Sequence, residues 1–185
     1  SYDFIELIMP KFMKQFIELK IALFHIVFLC ISMAAVSQSF PDIKFNSVTE
    51  KDGLSSTSVT CIAQDRNGII WAGTLGNGLL RFQKGRFTRF RTQEALPDDN
   101  VTQLLDDGKG YLWGGTYAGI FRVKKSELND FAAGSVTKLD CSIFGKSDGL
   151  PALECSGGFN PACWRADDGH LWFATVNGLV SVDPY

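Results

Sequence analysis

Five side chains have the chemistry expected of a ligand site and occur outside any recurring pattern: Tyr117, Arg122, Trp164, Arg165 and His170. Aromatic faces stack on sugar rings, while guanidinium groups donate hydrogen bonds to hydroxyls or carboxylates. They are the candidate ligand-binding residues. An enzyme would need more, a cluster of acids, histidines or tyrosines brought to one place. His170 is one of only two histidines in the chain, and it stands beside Asp167 and Asp168 in a segment that reads as a turn. No residue is assigned a catalytic role, and no cofactor is expected.

Metal chemistry finds equally little support. DRNG, Asp65 to Gly68, carries the opening of a calcium loop but is too short and lacks the Glu such a loop requires. Of five cysteines, Cys30 lies in an apolar segment; Cys61, Cys141, Cys155 and Cys163 remain. Their spacings contain neither C-x-x-C nor an accompanying His pair, so a zinc site is not expected. Small buried residues are the expectation, and a Cys155–Cys163 disulfide stays open as an alternative.

The chain has 185 residues, 45% of them hydrophobic, with a formal charge of −2. That content builds a packed core, and the missing basic excess argues against nucleic acid as a partner. The first forty residues differ from the rest. Lys11, Lys14 and Lys20 precede the apolar run Ile21–Val36, and small residues follow at Ala35-Val36-Ser37. This is the layout of a secretory signal cleaved before Gln38, with an uncleaved membrane anchor as the alternative. An N-terminal apolar helix is expected here, and an exported, periplasmic or extracytoplasmic location follows. Membrane contact is expected only through this segment.

The elements that must position the candidate residues repeat. Shifting the chain by 42 positions aligns Asp65, Gly68, Trp71, Gly73 and Thr74 with Asp107, Gly110, Trp113, Gly115 and Thr116. Phe45, Leu54 and Val59-Thr60 fall on Phe87, Leu96 and Val101-Thr102 in the same register. A looser third copy keeps Leu150, Gly169, Trp172, Thr175 and Gly178, with about a dozen extra residues before Leu150 and five more before Trp172. Within a copy, VTCIAQD, IIWAGT, LLRF and FTRF read as short strands between turn residues, uninterrupted by an amphipathic helix. Four such strands make a small antiparallel sheet, and a period near 42 is the length of one propeller blade. Asp65 suits the first position of a type I turn, and Gly68 the positive φ that follows. Trp71, on one strand face with Ile69 and Gly73, fills the gap between neighbouring sheets, which stabilises by about 2 to 3 kcal/mol. The D-x-x-G-x-x-W spacing is also similar to the aspartate box of sialidases, which has one residue fewer and is structural too.

The blocks GLSSTSVTCIAQDRNGIIWAGTLGNGLLRF and LPDDNVTQLLDDGKGYLWGGTYAGIFRV each resemble one repeat of the two-component regulator propeller family, found in the extracytoplasmic part of bacterial sensors. GGFNPACWRADDGHLWFATVNGLVSVDP resembles its closing repeat. The resemblance covers Phe45 to Pro184 and implies an all-β fold: a partial β-propeller of about three four-stranded antiparallel blades. It divides the chain into residues 1–37 (signal or anchor), 38–53 (lead-in with the outer strand of a blade), 54–95 (repeat 1), 96–149 (repeat 2 with an insertion) and 150–185 (closing repeat). It further implies a non-catalytic, oligosaccharide-responsive sensor input; a propeller-type carbohydrate-active enzyme and a protein-interaction scaffold are the alternatives. The chain departs from the family pattern in its few repeats, in Ala166 where the other copies have Asp65 and Asp107, and in carrying no kinase motif. Three blades leave an arc rather than a ring, so the expected partners beside a sugar are the missing blades or a second copy. Ile43 to Leu54 reads as the outer strand that would close such a ring.

Overall fold

The computed structural model describes residues 11–34, 43–56, 58–159 and 161–185. The chain divides into two compact units, Ser1–Asn46 and Ser47–Tyr185. In the first, helix α1 spans Lys11–Ala34. Lys11, Lys14, Glu18 and Lys20 charge its first half. Among the described residues no helix is long and apolar enough to cross a membrane, so the expected apolar helix is a helix that is apolar over part of its length. The proposed cleavage site at Ala35-Val36-Ser37 lies outside the described residues.

The second unit is three antiparallel sheets in a row. The first has the order β1 (Val59–Gln64), β2 (Ile70–Thr74), β3 (Leu79–Gln83) and β4 (Arg86–Phe90). Strands β5 (Val101–Asp106), β6 (Tyr111–Thr116), β7 (Gly119–Lys124) and β8 (Cys141–Phe144) repeat that order in the second. The third has three strands, β9 (Cys163–Arg165), β10 (Leu171–Thr175) and β11 (Gly178–Val182). Consecutive strands pair throughout, as tight turns dictate.

Strand alternation sends apolar residues to both faces, and each inter-sheet gap becomes a core. Between the first two sheets lie Ile69, Trp71, Leu79 and Phe90 from one side and Leu104, Leu112, Phe121 and Val123 from the other. Trp113, Ile120, Leu105 and Phe144 meet Leu171, Phe173, Cys155 and Leu150 in the second gap. Trp71 and Trp113 are buried between sheets; Trp172, which has no sheet on its side, is only half-buried.

Two expectations fail. An eight-residue helix α2, Lys125–Ala132, interrupts the second blade between β7 and β8. Its Leu128 and Phe131, three positions apart and therefore on one face, close the first core from outside together with Leu139. Ile43 to Thr49 forms no strand: the segment is irregular, and Phe45 is 91% exposed. A lone strand gains no ladder hydrogen bonds, so without a neighbouring edge its apolar alternation cannot make it extended structure.

Candidate functional site

The innermost strands of the first two blades each carry one extra residue. Register shifts between Val59 and Cys61 and between Val101 and Gln103, leaving Thr60 and Thr102 as bulges. The bulge turns each hydroxyl toward the next blade: Thr60 Oγ1 donates to the Val101 carbonyl at 2.5 Å, and Thr102 Oγ1 to the Cys155 carbonyl at 3.0 Å. Gln103, buried beside the second bulge, donates through Nε2 to the carbonyls of Ser156 (2.6 Å) and Ala174 (2.7 Å). Three inner strands are thereby held side by side. In the third blade Cys155 bridges to Thr175 as Val101 does to Thr116, but the sequence has six residues there in place of the single bulge residue, of which Ser156–Phe159 and Pro161 are described and form no strand.

Against these inner strands lies a cavity of about 570 Å³ lined by Thr60, Thr102, Gln103, Asp106, Phe159, Trp164, Arg165 and Asp167. Phe159 comes from the inserted loop. Trp164, 63% exposed, and Arg165 come from β9. Arg165 Nη1 donates to the Asp107 carbonyl at 3.1 Å, and its guanidinium meets that of Arg66 over Gly108. Asp106 is tied to Lys125 at 2.8 Å with both side chains largely buried. The wall therefore offers exposed aromatic faces, hydroxyls, the Asp106 carboxylate already neutralised, the Asp167 carboxylate and the Arg165 guanidinium.

Two of the five ligand candidates, Trp164 and Arg165, thus share this cavity; the other three lie elsewhere. Arg122 sits on β7 over the rings of Tyr111 (4.8 Å), Trp113 (5.4 Å) and Phe144 (5.8 Å), a packing position. Tyr117 occupies the turn between β6 and β7, and His170 the turn before β10, its Nδ1 3.3 Å from Asp168. The hydrogen bond from the His170 amide holds the exposed Asp168 carboxyl below its ordinary value. Thr60, Asp106 and Phe159 were not among the candidates; the repeated Val-Thr and the five-residue interruption of the third copy were their only signals.

The repeated motif residues hold the frame. Asp65 Oδ1 accepts from the amides of Asn67 (2.9 Å) and Ile69 (3.1 Å), while Oδ2 accepts the Trp71 indole N–H at 3.3 Å. Asp107 Oδ1 accepts from the amides of Lys109 (2.7 Å) and Tyr111 (3.0 Å) in the same way. The third turn, with no carboxylate at its first position, keeps the backbone bonds, Ala166 N–H to the His170 carbonyl at 2.9 Å and Gly169 N–H to the Ala166 carbonyl at 3.0 Å, and Asp168 Oδ1 accepts from the His170 amide at 3.0 Å. Gly73 and Gly115 leave room for the next blade, because a Cβ would press on the Val101 carbonyl or on Cys155. Thr74, Thr116 and Thr175 each donate to the carbonyl of a glycine, Gly78 just before β3 and Gly119 and Gly178 at the starts of β7 and β11, at 2.8, 2.8 and 2.9 Å.

Four of the five cysteines lie in the sheets or beside them. Cys61, Cys141, Cys155 and Cys163 are all free thiols, so Cys155 and Cys163 are not bonded to each other. Burial pushes Cys61 and Cys155 up to about 11 and Cys141 and Cys163 up to about 12. Among the described residues no group of three His, Cys, Asp or Glu is placed to hold a metal.

Residues 53–76 and 95–118 match the family model of the two component regulator propeller. These two segments are similar to regulator propeller repeats. The chain also shares its fold with the extracellular domain of the hybrid two component system BT3049 from B. thetaiotaomicron, at 22% identity and a TM-score of 0.62. That match covers 78% of this chain and 18% of the other. The extracellular domain of the hybrid two component system BT4673 from the same organism matches at 22% identity and a TM-score of 0.55, over 79% of this chain and 18% of that one. The chain thus spans less than a fifth of the length of these sensor domains. No curated protein matches it.

Proposed function

We propose that this chain is a non-catalytic, extracytoplasmic sensor propeller segment that takes an oligosaccharide against its inner strands. The match of two of its blades to regulator propeller repeats carries the reading, and the fold shared with extracellular sensor domains supports it. Phe159 and Trp164 offer ring faces for a sugar, and Arg165, Thr60 and Asp106 offer hydrogen-bonding groups around it. Export follows from the reading, by way of the basic and apolar N-terminal segment.

The test is calorimetric titration of the full chain with a panel of neutral and acidic oligosaccharides. One class binds in the micromolar range, no sugar is cleaved, and Phe159→Ala or Arg165→Ala weakens binding by about tenfold, equivalent to ~1.4 kcal/mol. Silence across the whole panel, binding that both variants retain in full, or turnover of the sugar overturns the reading.

A further inference from the structure

The second place of the three sister turns is held by Arg66, Gly108 and Asp167. Arg66 and Asp167 take it without left-handed backbone, whereas Gly108 has a φ of 72°. The turn as such therefore needs no glycine there. What the glycine leaves open is filled from the two neighbouring blades. The position a Cβ of residue 108 would take lies 2.5 Å from Arg165 Nη1 and 3.3 Å from Arg66 Nη2. Arg66 reaches it from the turn after β1, and Arg165 from the end of β9.

Two guanidinium groups brought to one spot repel each other, and the protein supplies no charge to offset them. Among the described residues neither arginine makes an ion pair. Arg165 has its one hydrogen bond to a backbone carbonyl. The carboxylates closest in the fold are already engaged. Asp65 holds two amides and the Trp71 indole, and Asp107 the amides of Lys109 and Tyr111. Asp106 accepts from the Gly108 amide at 2.8 Å and from Lys125 at 2.8 Å. Asp167 is exposed on the cavity wall and forms no ion pair with Arg165.

An oxyanion between the two arginines turns this repulsion into attraction. Each guanidinium is a planar fork of N–H donors that matches a carboxylate or sulfate, and charge-assisted bonds of this kind are stronger than neutral ones. Arg165 also lines the cavity next to Trp164, so an oxyanion at this spot adjoins a sugar ring stacked on the aromatic faces. We propose that the site selects acidic oligosaccharides, with a carboxylate or sulfate of the sugar held between Arg66 and Arg165 over Gly108. The inference rests on the oligosaccharide reading above and adds the charge of the ligand.

Gluco- and galacto-configured trisaccharides, each in neutral, uronate and O6-sulfated form, are titrated into the full chain at low and at high salt. One acidic form binds at least about tenfold more tightly than its neutral counterpart, and salt narrows the gap. Whether the uronate or the sulfate ester binds more tightly identifies the acid. Arg66→Gln weakens the acidic form by about tenfold and leaves the neutral form and the melting temperature unchanged, because Arg66 is exposed and bonds to nothing among the described residues. Arg86→Gln, the same loss of charge at the start of β4, changes neither affinity. Equal affinity for neutral and acidic forms overturns the proposal and leaves the sugar reading standing, whereas silence from every form overturns both. An acidic preference that survives Arg66→Gln, or that Arg86→Gln weakens as much, overturns it too.

Discussion

One turn position does three different amounts of work in this chain. Asp65 satisfies two amides and an indole, Asp107 two amides while the Trp113 Nε1 is buried without a partner, and Ala166 none. All three turns nevertheless close, because the backbone bonds between their first and fifth residues persist. The 3-10 turns show the converse, where a single residue is out of place. Gly53 and Gly149 end theirs in left-handed backbone, while the second ends in Ala95 at φ 85°. A Cβ there costs about 1 kcal/mol, so Ala95→Gly is expected to raise the unfolding free energy by roughly that amount in urea titrations.

Among the elements, the three lead-in turns are as regular as the strands. In each an acidic side chain accepts from the backbone N–H three residues earlier: Asp52 from Thr49 at 2.8 Å, Glu94 from Arg91 at 2.7 Å and Asp148 from Gly145 at 2.8 Å. Leu96 and Leu150, two residues beyond, then enter the two cores. Helix α2 serves the first core only. Replacing its buried Leu128 by Ala should cost about 2 to 5 kcal/mol, read as a lower melting temperature with the sheet signal retained below it. The strands and turns were legible in the residues because their spacing recurs: Trp71 and Trp113 announced the gaps they fill. The helix was not, since Leu128 and Phe131 give one turn of apolar spacing amid charges, too short a pattern to separate from a loop. Phe45–Val48 has strand sequence without strand structure because pairing depends on a partner edge, which no local pattern encodes. Of the site, Trp164 and Arg165 could be picked out as unrepeated residues. Phe159 could not, as its place depends on where an insertion meets the cavity.

At the scale of the whole molecule, charge sets the range of pH in which the row of sheets is stable. Burial works to raise the Asp99 carboxyl, but the Thr92 amide and Arg91, 2.7 Å away, hold it below its ordinary value. A carboxyl lowered by folding contributes stability above about pH 3.9, and that contribution is lost as the pH falls through the folded value. The four thiols have the opposite sign. Raised from 9.0 to about 11 or 12, they contribute stability that is complete below pH 9 and is lost as the pH rises toward those values. Melting temperature plotted against pH should therefore form a plateau that falls on both sides, and Asp99→Asn should flatten the acid limb. Alkylation of Cys61, Cys141, Cys155 and Cys163 at pH 8 should be at least about 100-fold slower in the native protein than in denaturant.

The break in the third inner strand changes what the scaffold can tolerate. The insertion after Ser156 enters where the first two ladders skip a residue, so lengthening it removes no strand pairing. A chain built this way can reshape the mouth of its cavity by insertion alone, trying new guests while the blades that carry the molecule stay as they are.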